Sequence, residues 1–441
     1  MKLLVKGGRV VDPAGGVDDV RNVVIDRGRV EAVESGEVPE TAFDRVIDAS
    51  GLVVFPGLID MHVHLREPGF EDKETIETGT RSAAAGGFTT VAAMPNTDPA
   101  IDNRAHVEFV RSKAERFGYC NVVVVGAITK GRQGAELAEI GDLVDAGAVA
   151  ISDDGNTVMN SEIMRRAMEY LRMYDIPMIV HCEDETLAAD GVMNEGYNST
   201  RLGLKGISRL AEEIIVARDV MMAEKLGARI HVAHISTRDA VDMVRRAKAR
   251  GVRVTCEVTP HHFSLTDDEM EKYDANYKMR PPLRTPDDIQ ALIEGLQDGT
   301  IDAIASDHAP HTEEEKDVEL DYAPDGVIGL ETTLTVSLTN LVCSGALSLS
   351  QLAQKLSANP ARILGLSGRG SLSRGSVADL TLVDVDAERV IESRLFESKA
   401  RNTPFEGSRG RGKVISVIAS GRVVYDGGAI VDRTQREQYA C

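Results

Sequence analysis

A chain of 441 residues, 42% hydrophobic and 27% charged, has room for one large domain beside a smaller one. Fifty basic against seventy acidic residues leave a net charge of −20, which repels phosphate backbones and anionic lipid, so no nucleic acid and no membrane partner is expected. No run reaches the roughly 18 apolar residues of a membrane span, and the opening MKLLVKGGRVVD is interrupted too soon for a signal peptide.

In chain order, residues 2–54 carry extended, Val/Ile-rich runs with Gly-Arg turns (LLVKGGRVVD, NVVIDRGRVEAV, RVIDASGLVVF), which read as antiparallel strands and hairpins. The centre then alternates. Eight apolar, β-branched runs fall at 53–64, 88–96, 121–129, 148–154, 177–184, 229–237, 253–262 and 302–310. Helical patterns lie between them. Residues 161–174 place Ile163, Ala167, Tyr170, Leu171 and Tyr174 on one face, and 237–250 do the same with Val241, Val244 and Ala247 before Gly251. Residues 286–297 and 332–344 follow suit. The polar, Pro-Asp-Gly-punctuated segment 311–329 reads as a loop over the barrel mouth. The end of the chain, ADLTLVDVD and KVISVIASGRVVYDGG, returns to the texture of the start.

Strands alternating with helices predict an α/β fold, a (β/α)8 TIM barrel, joined to a small β-sandwich domain built from both termini. The expected divisions are 1–54 and 368–441 for the β domain and 55–367 for the barrel. The five cysteines (Cys120, Cys182, Cys256, Cys343, Cys441) are odd in number and scattered, which predicts free thiols and a cytoplasmic location.

Chemistry in such a barrel sits at the C-terminal ends of the strands. Run one ends IDMHVHLRE, placing His62 and His64 two apart and so on one face of a strand. Run four ends Ser152-Asp153-Asp154-Gly155, run five His181-Cys182-Glu183, run six His234-Ile235-Ser236, and run eight Ser306-Asp307-His308. Four histidines and two aspartates thus converge on one end of the barrel. Imidazole with carboxylate suits Zn²⁺, with Mn²⁺ or Co²⁺ as lesser candidates. Six ligands exceed one tetrahedral ion, and one carboxylate can bridge two ions roughly 3.5–4 Å apart.

DMHVHLREPG at 60–69 and ASDHAPHTEEEK at 305–316 resemble the two signatures of the dihydroorotases within the amidohydrolase superfamily. MPNT at 94–97, SDDG at 152–155, HCED at 181–184, HIST at 234–237 and NPARILGL at 359–366 fall in matching order. The resemblance implies a zinc enzyme that interconverts N-carbamoyl-L-aspartate and L-dihydroorotate in pyrimidine (UMP) synthesis. It implies two Zn²⁺ per chain, one held by His62, His64 and Asp307 and the other by His181 and His234, bridged by Asp153 and a hydroxide. Many relatives bridge with a carboxylated lysine; here Ile151-Ser152-Asp153 offers none. Substrate contacts map onto His64, Arg66, Asn96 and His311, with the backbone around Asp325 and Gly326. Arg280 stands where bacterial relatives commonly carry Asn, and the animal multifunctional enzyme's arginine there makes it a further expected contact. The resemblance also implies a homodimer and a complex with aspartate transcarbamoylase.

Asp307, beside the hydroxide, is the expected proton shuttle, general base and then acid. Arg66, two residues past His64, offers a planar guanidinium to the ring carboxylate. His261, His262 and His308 find no ligand slot and read as supporting or packing residues, and Cys182 as a small buried one. Two alternatives stand beside this reading. A sister hydrolase (hydantoinase, dihydropyrimidinase or allantoinase) would share scaffold and metals, but its substrates lack the carboxylate that Arg66 answers. A non-catalytic scaffold for the transcarbamoylase would have lost ligands, whereas all six are present.

Overall fold

The computed structural model describes residues 2–432. Its centre is a parallel sheet of strands β1 (Leu58–Val63), β2 (Phe88–Ala93), β3 (Asn121–Gly126), β4 (Ala148–Ile151), β5 (Met178–Val180), β6 (Ile230–Val232), β7 (Val254–Val258) and β8 (Ala303–Ile304), neighbours in chain order. The ring closes where Val63 bridges in parallel to His308 and the His64 N–H donates to the His308 carbonyl at 2.9 Å. This is the (β/α)8 barrel read from the alternation of runs. Its strands are buried on both faces, which is why they read as continuous Val/Ile/Ala runs.

The helices between them start on caps that the sequence supplies. Side chains of Thr75, Asn103, Asn160 and Thr237 accept from the first free amides of helices Ile76–Ala85, Arg104–Phe117, Ser161–Leu171 and Arg238–Ala249. Helices Leu210–Leu226 and Pro286–Asp298 end on left-handed glycines, Gly227 and Gly299. The helix expected over 161–174 stops at Leu171. Its buried face is Met164, Ala167, Met168 and Leu171, and Tyr170 is 40% exposed. A methionine stripe at helical spacing fills the groove, and the tyrosine keeps its hydroxyl at the wet edge. The helix expected over 332–344 runs from Thr333 to Ser337 and then widens into a π-turn over Leu338–Val342.

Both ends of the chain build one mixed sheet. Its strand order is Ala429–Ile430, Arg422–Asp426, Arg409–Ala419, Leu380–Val390, Val53–Pro56, Lys2–Asp12, Val17–Asp26 and Arg29–Glu34, with Arg45–Asp48 also on Lys2–Asp12. It is not wholly antiparallel as expected. Lys2–Asp12 runs parallel to Arg45–Asp48 and to Val53–Pro56, because the connection over 35–44 returns the chain to the end from which Lys2–Asp12 set out. The run 53–64, read as one strand, is two. Val53–Pro56 pairs with Leu380–Val383 in the terminal sheet, and Leu58–Val63 opens the barrel. They part at Gly57, where a Cβ would lie 2.1 Å from Thr89 Oγ1, so glycine alone lets the chain cross there.

Cys120, Cys182 and Cys256 are buried and Cys343 exposed, all unpaired; Cys441 lies outside the described residues. Among the described residues no helix is long and apolar enough to cross a membrane. Glu331 ties the barrel to the C-terminal segment by accepting from the amides of Glu397 at 2.9 Å and Ser398 at 3.2 Å. Burial raises its carboxyl to about 8, with Glu397 adding to the rise. The folded chain therefore holds this proton more tightly than the unfolded chain, and the stability it contributes is lost as pH rises through 8. Glu331→Gln keeps an accepting oxygen without the charge. Its melting temperature should exceed the parent's at pH 9 and match it at pH 5; a gap independent of pH would sink this account.

Candidate metal centre

Three residues at the strand ends leave the extended backbone for the left-handed region: Arg66 (φ 60), His234 (φ 31) and Asp307 (φ 49). None is glycine, and each such position costs on the order of 1–3 kcal/mol. Strain gathered on three strand ends around one point aims side chains that relaxed strands would turn elsewhere.

Histidine and aspartate side chains from these strand ends meet. His64 Nε2 lies 3.0 Å from Asp307 Oδ1, and His62 Nε2 lies 3.5 Å from the same oxygen. Asp154 stands in the middle, with carboxylate oxygens 3.1 Å from His62 Nε2, 3.5 Å from His64 Nε2, and 3.9 Å from both His181 Nδ1 and His234 Nε2. His181 and His234 face each other, ring nitrogens 2.9 Å apart. Two sets of donor atoms cluster tightly enough for a cation, His62–His64–Asp307 and His62–Asp154–His234.

The donors fit a metal on two grounds. His62 Nε2 and Asp154 Oδ1 are buried and make no hydrogen bond although they lie side by side, an arrangement that buried polar atoms avoid unless something else binds them. Burial works against ionised Asp154 and Asp307, yet the surrounding imidazoles, His62 foremost, hold both carboxyls far below the usual range. The centre thus gathers carboxylate oxygens and imidazole nitrogens, the donor set of zinc and its neighbours.

The expectation for Asp153 is corrected. Its carboxylate turns away from the histidines to accept from the amides of Ile128 at 2.8 Å and Thr129 at 3.0 Å, and from the Thr129 hydroxyl. Both aspartates lie past the end of β4 at Ile151, and their side chains part, Asp153 to the neighbouring loop and Asp154 to the centre.

The other expected residues surround it. Asn96 Oδ1 holds His64 Nδ1 at 2.7 Å. Arg66 is buried, its Nε donating to the Pro310 carbonyl at 3.1 Å and Nη2 lying 3.4 Å from His311 Nε2. Burial lowers the Arg66 guanidinium to about 10, so it remains charged at neutral pH. Burial and the neighbouring Arg66 keep the His311 ring neutral. His311 is 3.0 Å from both Glu315 and the Asp325 carbonyl.

Arg280 is otherwise engaged. It donates to Asp325 at 2.9 Å, to Glu183 at 2.6 Å and to the Ala189 and Gly191 carbonyls at 3.3 Å. This network binds the mouth loops together. The Gly326 amide donates to the Lys278 carbonyl at 3.0 Å, and the Asp325 carbonyl faces His311. The segment 311–329 contains a short helix, Glu313–Lys316, and is pinned from below. Lys316 Nζ donates to the Ala275 and Pro324 carbonyls, and Lys278 Nζ to those of Leu320 and Ala323.

His262 bonds Thr259 and the Pro281 carbonyl, and His308 accepts from the Gly329 and Leu330 amides. Both hold loops, as expected. Cys182 is buried, and burial pushes its thiol up, which leaves it unreactive. Two residues escape the sequence reading. Arg132 reaches the Asp154 carbonyl at 2.6 Å and has a buried Nε without a partner. Glu257 lies 2.7 Å from His62 Nδ1. A signal for Glu257 is present: a glutamate within an otherwise apolar buried run, among Val254, Cys256 and Val258.

Comparison with known proteins bears on this centre. The Dihydro-orotase-like family model matches residues 51–240 and an Amidohydrolase family model matches 339–425. The chain is 54% identical to the dihydroorotase of Pelotomaculum thermopropionicum over 96% of this chain and 98% of that one. It is 52% identical to the dihydroorotase of Pelobacter propionicus over 96% and 100%. Among solved structures, the L-hydantoinase of Arthrobacter aurescens superposes with a TM-score of 0.88 at 27% identity, covering 98% of this chain and 97% of that one. The dihydropyrimidinase of Brevibacillus agri gives 0.86 at 25% identity, covering 98% and 96%. The barrel is common to both groups, while sequence identity divides them by a factor of two.

Proposed function

Since the chain belongs to the dihydroorotase family, we propose that it holds two zinc ions at this centre and interconverts N-carbamoyl-L-aspartate and L-dihydroorotate by closing and opening a cyclic amide, a step of pyrimidine synthesis. His62, His64 and Asp307 would hold one ion and His181 and His234 the other, with Asp154 standing among them. Zinc bound there supplies an acidified water and a polarised scissile carbonyl at neutral pH. In ring opening Asp307 takes the proton of the attacking water and returns it to the departing ring nitrogen; in ring closure it accepts the proton of the carbamoyl nitrogen. Asn96 fixes the His64 ring through Nδ1, leaving Nε2 toward Asp307.

The observation that carries the substrate assignment is Arg66. On a chain of net charge −20, a buried guanidinium stands at the end of the strand that supplies His62 and His64. A fixed, desolvated fork of N–H donors matches a carboxylate and has no use for an uncharged ring. His311, bonded to the Asp325 carbonyl and against Arg66, completes that corner. Losing one partner of a buried charged pair costs roughly 2–5 kcal/mol, more than tenfold in affinity. Arg66→Met should therefore raise KM for dihydroorotate at least tenfold with metal content unchanged. Hydantoin should be a poor substrate of the parent enzyme, and the substitution should not worsen it. A parent enzyme preferring hydantoin or dihydrouracil would hand the chain to the sister hydrolases.

A further inference from the structure

Below the metal centre, inside the barrel, a chain of hydrogen bonds leads away from His62. His62 Nδ1 lies 2.7 Å from Glu257 Oε1; Glu257 Oε2 lies 3.2 Å from His231 Nε2; His231 Nδ1 lies 2.8 Å from Thr255 Oγ1. Three strands supply it: β1 gives His62, β6 gives His231, and β7 gives Thr255 and Glu257. His231 and Thr255 are register partners, and Glu257 sits two residues farther on the same inward face of β7. His62, Glu257 and His231 have no solvent exposure. A barrel interior is ordinarily filled by layers of branched apolar side chains, so a carboxylate between two imidazoles is a costly choice there.

The choice has a directional consequence. A carboxylate can only accept, so Glu257 obliges both imidazoles to turn an N–H toward it. For His62 the proton then sits on Nδ1, and the lone pair on Nε2 is free. That Nε2 is the buried atom without a hydrogen-bond partner, 3.1 Å from Asp154 and 3.5 Å from Asp307. For His231 the Thr255 hydroxyl can donate to Nδ1, which leaves the proton on Nε2, where Glu257 needs it. No lysine or arginine hydrogen-bonds or ion-pairs with Glu257 among the described residues.

We infer that Glu257, braced by His231 and Thr255, is a positioning residue for the metal: it fixes His62 in its ligating tautomer and raises the ring's donor strength. This rests on the metal reading above and adds residues outside the six ligands. An outer carboxylate on a ligating histidine is worth roughly 10- to 100-fold in metal affinity. Glu257→Gln keeps the volume, but its amide N–H can donate to His62 Nδ1 and so shift the proton to Nε2, where it blocks ligation.

The test is zinc affinity of the stripped full-length protein, by competition with a chelator, beside the melting temperature of the metal-free form. Glu257→Gln should bind zinc roughly 10- to 100-fold more weakly. His231→Gln leaves Glu257 in place and should lose less. The double variant should be no weaker than Glu257→Gln alone, since both act through one path. Zinc affinity of Glu257→Gln within about twofold of the parent, far short of the loss an outer partner carries, with only the metal-free melting temperature lowered, would reduce Glu257 to a packing role and overturn the inference. Should Glu257→Gln fail to fold, His231→Gln decides: unchanged affinity overturns the inference, weakened affinity supports it. A parent protein that binds no zinc would overturn the metal reading itself and this inference with it, an outcome plainly distinct from a loss confined to the variants.

Discussion

Asp154→Asn should strip the protein of at least one of the two metals proposed for it and lower activity by more than the roughly 10- to 100-fold that loss of an outer partner costs. The neighbouring substitution, Asp153→Asn, should leave both metals bound. The contrast follows from where two consecutive carboxylates point. Asp154 lies within 3.9 Å of four imidazole nitrogens, and its Oδ1 is buried without a hydrogen bond. Asp153 instead accepts two amides and a hydroxyl from the loop after β3. Asn at 153 can still accept the two amides, but its NH2 stands where the Asp153 oxygen accepts from the Thr129 hydroxyl, which must turn to accommodate it. A buried mismatch of this kind costs roughly 1–3 kcal/mol, so that variant should melt earlier while keeping its metals. Elemental analysis and melting curves of both variants decide it. Full dinuclear occupancy in Asp154→Asn, or metal loss in Asp153→Asn, would reverse the assignment.

That pair also marks where the sequence can be read and where it cannot. The barrel is legible because strands buried on both faces must be apolar throughout, and because chemistry clusters at one end of such strands. His62, His64, His181, His234 and Asp307 stand out at run ends for that reason. The choice between Asp153 and Asp154 does not, since both lie past the end of β4, where no strand alternation assigns a face. Only the bonds of Asp153 to Ile128 and Thr129, across to the neighbouring loop, settle its orientation. The ties of Arg280 are hidden for a related reason. Its partners Glu183 and Asp325 lie 97 and 45 residues away in the chain, and no local pattern announces a contact between loops of different strands. Gly57 hides a boundary within an unbroken apolar run, because what demands glycine there is the closeness of Thr89 from the next strand. Glu257 is visible as an oddity but unreadable as a partner of His62, 195 residues away.

Asp307→Asn should leave substrate binding close to normal while turnover falls about 10²- to 10⁴-fold, the range for removing a positioned proton-transfer group. Asp307 is suited to that task by its surroundings. Burial disfavours its charge, but His62 and His64 prevail and keep it an acceptor. His64 Nε2 at 3.0 Å orients the carboxylate, and the left-handed backbone at 307 swings it over the ligands in place of continuing β8. Asparagine has nearly the same shape and can still offer an oxygen to a metal, but it cannot carry a proton from water to the departing nitrogen. Because Asp307 is also a proposed ligand, the variant should be assayed at saturating zinc with its metal content measured in the same sample. A fall in kcat with KM and metal content held would assign the loss to proton transfer, since an interaction needed only in the transition state lowers kcat and kcat/KM together. Metal loss that accounts for the whole fall would leave Asp307 a ligand alone. Near-normal turnover with both metals in place would remove it from the reaction, and the proton would have to travel through another group at the mouth, where His311 offers a neutral imidazole beside Arg66.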